Sequence, residues 1–198
     1  MIQTFYPQRH LLQILRMLGI TATCLLAGCS SVELDSYADN RPALRLEDFF
    51  QGTLVAEGIV KNRSGKVIRY FTATIEASWD ESGVGTLDEA FLFDDGERQR
   101  RVWILTPDDS GDYRATAGDV VGTGQLRTAG NAAFFRYVLT VNYRERALNV
   151  AVTDRMFLVG KRTLISESVM TKFGLVVGTV TLSMHRLPEM VGTVGAER

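Results

Sequence analysis

From Thr53 onward, apolar and polar residues alternate with a period of two. The clearest stretch is Lys66 to Trp79: Val67, Phe71, Ala73, Ile75, Ala77 and Trp79 share one parity, interrupted only by Arg69, and Ile68, Tyr70, Thr72, Thr74, Glu76 and Ser78 share the other. Successive side chains of a strand point to opposite faces, so this pattern predicts a long half-buried strand. Asn62-Arg63-Ser64-Gly65 before it and Asp80 to Gly83 after it are turn chemistry. The same reading predicts strands over about 53–61, 66–79, 84–94, 97–106, 112–117, 120–128, 133–143, 146–153, 156–166 and 175–186. Turns fall at Asp94-Asp95-Gly96, Pro107 to Gly111, Gly118-Asp119, Gly130-Asn131 and Asn142 to Glu145. Ser166 to Phe173 reads alternatively as one helical turn or an irregular crossing. Ahead of the strands, Leu44, Leu46, Phe49 and Phe50 with Glu47 and Asp48 between them predict a short helical turn with an apolar side, ended by Gly52.

Many short strands joined by tight turns predict an all-β antiparallel meander. A sheet of this kind must hide its edges, and closure does so most completely. The expected architecture is therefore a closed barrel of about eight to ten strands, whose interior holds side chains or one small ligand. A two-sheet sandwich is the alternative.

The amino-terminal pattern differs. Arg9 and Arg16 are basic, no acid precedes Glu33, and an apolar run covers Met17 to Ala27. Spanning a bilayer takes roughly 20 apolar residues, so this run is too short and reads instead as the core of an export signal. It ends in Leu26-Ala27-Gly28-Cys29, followed by Ser30 and Ser31, which resembles the lipobox of bacterial lipoproteins. The resemblance implies cleavage after Gly28, acylation of Cys29 by palmitate-type chains, and attachment to a membrane through that lipid. Ser30 in place of an acid after the cysteine implies sorting to the outer membrane, with the domain on its periplasmic face. The chain then divides into a signal peptide (1–28), lipidated cysteine and tether (29–43), barrel (44–188) and flexible tail (189–198).

Composition narrows the function classes. Losing Arg9 and Arg16 makes the formal net charge of −1 two units more negative, which argues against a nucleic-acid surface. Cys24 leaves with the signal and Cys29 is alkylated, so the mature domain has neither disulfide nor free thiol, and packing and sheet hydrogen bonds must hold it together. Catalytic inventory is thin. His185 is the one mature histidine and sits at the end of the last strand; a general base needs a partner as well as a poised pKa. No Gly-x-Ser-x-Gly elbow occurs, and the Cys and His residues of a zinc site are nearly absent. Asp108-Asp109-Ser110-Gly111-Asp112 has acid spacing but not the full calcium loop, and reads as a turn. No cofactor or metal is expected, and the protein is read as non-enzymatic.

What remains is a surface for binding. Arg98, Arg100 and Arg101 form a charge run. By parity Gln99, Arg101 and Trp103 point one way, so Arg101 is a candidate for a carboxylate or phosphate head group with Trp103 beside the chain. Asp154 or Glu76 could instead pair with it. Phe135, Tyr137, Leu139, Val141 and Tyr143 share the face that forms the strongest candidate wall, joined by Phe71 and Trp79. The first expectation is thus a lipid-anchored barrel that binds a fatty acid or another small amphiphile. A second is a solid barrel docking an envelope partner. A third is a lipid-acting enzyme using Asp154, Glu76 or Asp119.

Several separated stretches also carry a family resemblance: Asp95-Gly96-Glu97 leading to Arg101-Val102-Trp103, Gly118-Asp119-Val120-Val121-Gly122, Gly130-Asn131-Ala132, Asp154-Arg155-Met156, and Met170 to Gly178. Together they resemble a family of proteobacterial lipoproteins of unknown function with a lipocalin- or calycin-like barrel, over roughly residues 45 to 187. Where that pattern has a tryptophan after Asn-Ala, this chain has Phe135. The resemblance implies fold and address but assigns no activity.

Overall fold

The computed structural model describes residues 32–143 and 146–188, so Cys29, the signal and the tail lie outside the described residues. A 3-10 turn at Leu34–Tyr37 and a one-turn helix α1 (Leu46–Phe49) precede β1 (Gly52–Asn62), β2 (Val67–Trp79), β3 (Gly85–Phe93), β4 (Arg98–Pro107), β5 (Tyr113–Thr116), β6 (Gly124–Ala129), β7 (Ala132–Tyr143), β8 (Arg146–Val159), β9 (Thr163–Lys172) and β10 (Leu175–Arg186). Each strand pairs antiparallel with its chain neighbours, and β1 pairs with β10, closing the meander into a barrel. The expected closed antiparallel barrel is what forms, and the sandwich is excluded.

Side-chain alternation drives the closure. On β2, Phe71, Ala73, Ile75 and Ala77 are buried while Tyr70, Thr72, Thr74 and Glu76 face outward. Three hairpins share one turn chemistry. The Asn62 Oδ1 accepts hydrogen bonds from the Ser64 and Lys66 amides, the Asp80 Oδ1 from Ser82 and Val84, and the Asp108 Oδ1 from Ser110 and Asp112. The side-chain oxygen thus ties two amides of a tight reversal, which accounts for the acid spacing at Asp108.

Three boundaries differ from the sequence expectation. β8 runs unbroken through Asp154 and Arg155, where a break was expected, and turns only at Gly160. Ser166 to Lys172 is regular strand, not a helical turn or crossing. β6 begins at Gly124 rather than near residue 120. Residues 118–123 instead lie along β7: the Val121 amide donates to the Val138 carbonyl, the Thr140 amide donates to the Asp119 carbonyl, and Val120 bridges Leu139.

One end of the barrel is sealed by α1 and its flanks. Leu44, Leu46, Phe49 and Phe50 are buried in the same cluster as Leu54, Leu105 and Leu164. The Trp79 indole N–H donates to the Phe50 carbonyl at 2.7 Å, and the Tyr113 hydroxyl donates to Glu47. Outside the wall, the 3-10 turn lays Leu34 and Tyr37 over Phe134 and Phe157. Gly130 (φ +53) makes this possible, because a Cβ there would stand 1.7 Å from the Tyr37 carbonyl oxygen. Among the described residues, no helix is long and apolar enough to cross a membrane.

Candidate ligand-binding site

Between the α1 seal and the opposite strand ends, the interior is not filled. A cavity of about 210 Å³ extends from Phe50 toward Val60, Phe93, Gln99, Leu139, Met170 and Val180 at the end away from α1. Drug-sized sites run to roughly 300–1,000 Å³, so this one fits a slender molecule. Glycine helps shape it. At Gly58 on β1 a Cβ would stand 2.4 Å from the Phe71 ring, so the absent side chain is the space in which that ring lies.

The walls are unequal. β1, β2 and β10 contribute apolar groups such as Ala56, Val60, Phe71, Ile75, Val180 and Leu182. On the other side, Trp103 packs edge-on to Phe135 and Tyr137, with centroids 4.9 and 5.2 Å away. Beside these rings stand Glu89 from β3, Arg101 from β4, Asp154 from β8, and Ser166 and Ser168 from β9. Strand register explains their meeting: Glu89 pairs with Arg101, Phe135 with Asp154, and Asp154 with Ser168.

Arg101 is mostly buried, its side chain 18% exposed. Its Nε and Nη2 donate to the Asp119 carboxylate at 3.0 and 2.8 Å, and Glu89 Oε2 lies 3.9 Å from its Nη1. A planar guanidinium suits such two-pronged pairing. Asp119 reaches it because residues 118–123 fold along β7.

Burial raises the Glu89 carboxyl to about 7 against the Arg101 charge and the Trp103 hydrogen bond, with the charges of Asp154 and Asp119 adding to the rise. Burial also raises Asp154 to about 6, opposed by hydrogen bonds from Ser168 and Tyr137 and by Arg101. The Tyr137 hydroxyl is held well above its ordinary value, first by burial and then by the Asp154 charge. Asp154 Oδ1 is buried without a hydrogen-bond partner, a costly state for a carboxylate oxygen.

Of the residues singled out from sequence, Phe71, Arg101, Trp103, Phe135, Tyr137, Leu139 and Asp154 line this cavity together. Trp79 does not: its indole is committed to the α1 seal. Val141 is half-buried but not among the lining residues, because it lies further along β7 than the cavity reaches. The Tyr143 side chain lies outside the described residues. Glu76 cannot pair with Arg101, since its parity turns it outward, where it accepts a hydrogen bond from Thr53. Neither expected partner holds the guanidinium; Asp119 does, itself 40% exposed. His185 is exposed between Thr163 and Ser183. Glu89, Ser166 and Ser168 were missed. Glu89 was detectable, because it interrupts an inward row of Leu87, Phe91 and Phe93.

At the same end as the half-buried Met170 and Val180, the β9–β10 hairpin exposes Phe173, Leu175, Val176 and Val177.

Two solved structures share the fold. An S-type phycobiliprotein lyase from Guillardia theta matches with a TM-score of 0.53 at 13% identity, covering 80% of this chain and all of that one. A protein of unknown function from the DUF3598 family of Nostoc punctiforme matches with a TM-score of 0.52 at 16% identity, over 74% of this chain. The chain spans about half the length of that second protein, 51%. At these identities the likeness is one of fold. No curated protein matches in sequence. A family profile described as "Protein of unknown function (DUF3833)" matches residues 23–186.

Proposed function

The chain belongs to the DUF3833 family, and we propose that it is a lipid-anchored carrier that holds one small apolar or amphiphilic molecule in its barrel. The observation that supports this reading is the cavity, walled by Phe71, Phe91, Trp103, Phe135 and Tyr137 and bearing a confined polar cluster. Apolar walls supply affinity and a few placed polar groups supply orientation. The anchor is Cys29 at the end of the apolar amino-terminal run, and the address is the periplasmic face of the outer membrane. Several acyl chains at ~0.8 kcal/mol per buried CH₂ would hold the protein there.

Two measurements test the two halves. Labelled palmitate enters the wild-type chain in bacteria and does not enter Cys29→Ser; equal labelling of both overturns the anchor. Native mass spectrometry of the purified protein shows a bound small molecule that Trp103→Ala loses. A chain that carries nothing, and takes up no alkyl compound offered to it, overturns the carrier.

A second reading is supported by the exposed Phe173–Val177 segment, a surface through which the barrel would dock an envelope partner. An apolar patch of this kind is a usual sign of contact. A partner captured by the wild type and lost with Val176→Ser supports it, and capture unaffected by that change overturns it.

A further inference from the structure

The polar wall says which head group the cavity takes, an inference that rests on the carrier reading and narrows it. The sequence pattern offered Arg101 to a carboxylate or phosphate head group. In the folded barrel that guanidinium is already engaged: Asp119 occupies its Nε and Nη2, and Glu89 stands at its Nη1. Arg101 is also the one cation among the residues lining the cavity. A ligand carboxylate would have to displace Asp119 or take Nη1 from Glu89, and in either place it would sit beside Glu89 and Asp154. Like charges in a poorly solvated site repel strongly.

In the polar wall the unmet need is of the opposite kind; the other charged side chain with a buried unpartnered atom among the described residues, Arg69, lies over Phe93 and gives its Nη2 to Asp95 and Glu97. Asp154 lines the cavity, is buried, and has an Oδ1 with no hydrogen-bond partner. Glu89 lines the same wall with its side chain only 14% exposed. The groups facing them from the surrounding elements are Arg101 of β4, Asp119 of the 118–123 segment, Tyr137 of β7 and Ser168 of β9. That makes three carboxylates to one guanidinium. The acids are not a metal cage, since among the described residues no three of His, Cys, Asp and Glu are grouped as ligands would be.

We infer that the barrel accepts an amphiphile whose head is a protonated amine, seated against Asp154 and Glu89, with its single alkyl chain along the apolar wall of β1, β2 and β10. An ammonium group has donors only, and a donor is what the buried Asp154 Oδ1 lacks. A buried ammonium needs a paired carboxylate, and two are in place. The size of the cavity favours one chain over a two-chain lipid. Burial also leaves both carboxyls with raised pKa values. An arriving cation would restore their charge and release protons, so amine affinity rises with pH through that range.

The experiment compares decylamine, decanol and decanoate on the full-length protein by competition with a fluorescent alkyl probe. At about pH 8, where both acids are charged, decylamine is expected to bind at least about tenfold more tightly than decanoate, with decanol between them. Asp154→Asn is expected to reduce the amine-to-acid ratio by about tenfold and leave decanol unchanged. Glu89→Gln is expected to act in the same direction, and Glu76→Gln, outside the barrel, to change nothing. Decanoate binding as well as or better than decylamine overturns the inference and leaves the carrier reading standing. Failure of all three compounds to bind overturns the carrier reading itself.

Discussion

Glu89 and Arg101 face each other in register across β3 and β4, yet the guanidinium gives its two-pronged bond to Asp119 and leaves Glu89 3.9 Å away. Burial, only partly offset by that guanidinium, lifts the Glu89 carboxyl to about 7. Asp119→Asn tests that division of charge. The change removes an anion that raises the Glu89 pKa and frees Arg101 to turn toward Glu89. The Glu89 carboxyl is expected to fall below about 7, read by carbon-detected NMR titration. An unchanged or higher value would show that Arg101 stays where it is and that Asp119 is electrically remote.

The two buried acids of the cavity, Glu89 and Asp154, fix a pH dependence of stability. Glu89 moves from 4.5 to about 7 on folding, and Asp154 from 3.8 to about 6. With the folded pKa above the unfolded one, the folded state binds more protons between those limits, so stability falls as pH rises through that window. Surface carboxylates such as Asp80, Asp95 and Asp108 act oppositely, because hydrogen bonds lower their pKa values and their contribution is lost as pH falls through their folded values. Urea unfolding should show a loss on the order of a few kcal/mol between about pH 5 and pH 8. The double change Glu89→Gln with Asp154→Asn should flatten that slope. A slope that survives both changes would place its origin elsewhere.

The barrel was legible from sequence because its walls obey a strict period of two and its hairpins use Asn or Asp with Gly. The alternation failed where the cavity is polar. Ser166 and Ser168 point inward opposite Met156 and Asp154, and two buried serines at successive inward positions disguised β9 as irregular chain. Asp154 disguised the middle of β8 as a break between two strands. Sites for ligands break local rules in this way, since they place polar groups where packing alone would place apolar ones. The Arg101–Asp119 pair was hidden for another reason. It depends on residues 118–123 laying themselves along β7, a tertiary contact with no local signal.

Gly130 joins the amino-terminal segment to the barrel. Its φ is +53, and the Tyr37 carbonyl oxygen lies where a Cβ would be; the Leu44 amide also donates to the Gly130 carbonyl at 2.7 Å. Gly130→Ala should therefore cost about 2 kcal/mol or more, combining left-handed strain with a backbone clash. The loss should concentrate on the 3-10 turn. Hydrogen exchange should accelerate over residues 34–44 while β2 and β8 keep their protection. Uniform loss of protection would mean that the turn is no separate cooperative unit.

Phe173 and Gly174 form the two-residue tip of the β9–β10 hairpin, both with positive φ, +51 and +76. That geometry matches a type I′ turn, whose first position favours asparagine. A phenylalanine there is strained by roughly 1–2 kcal/mol, and it gains little burial in return, being 91% exposed. The expectation is unusual for an aromatic residue: Phe173→Asn should raise stability by about 0.5–1 kcal/mol. Thermal unfolding reads the gain directly. If the fold alone governs this position, the asparagine variant is stabler and otherwise indistinguishable from wild type. If the hairpin meets a partner or a lipid surface, the stabler protein is the one that loses the contact, so binding and stability move in opposite directions. A destabilised variant would mean instead that the ring packs on Lys172, whose Nζ lies 5.0 Å from the ring centre, strongly enough to hold the turn.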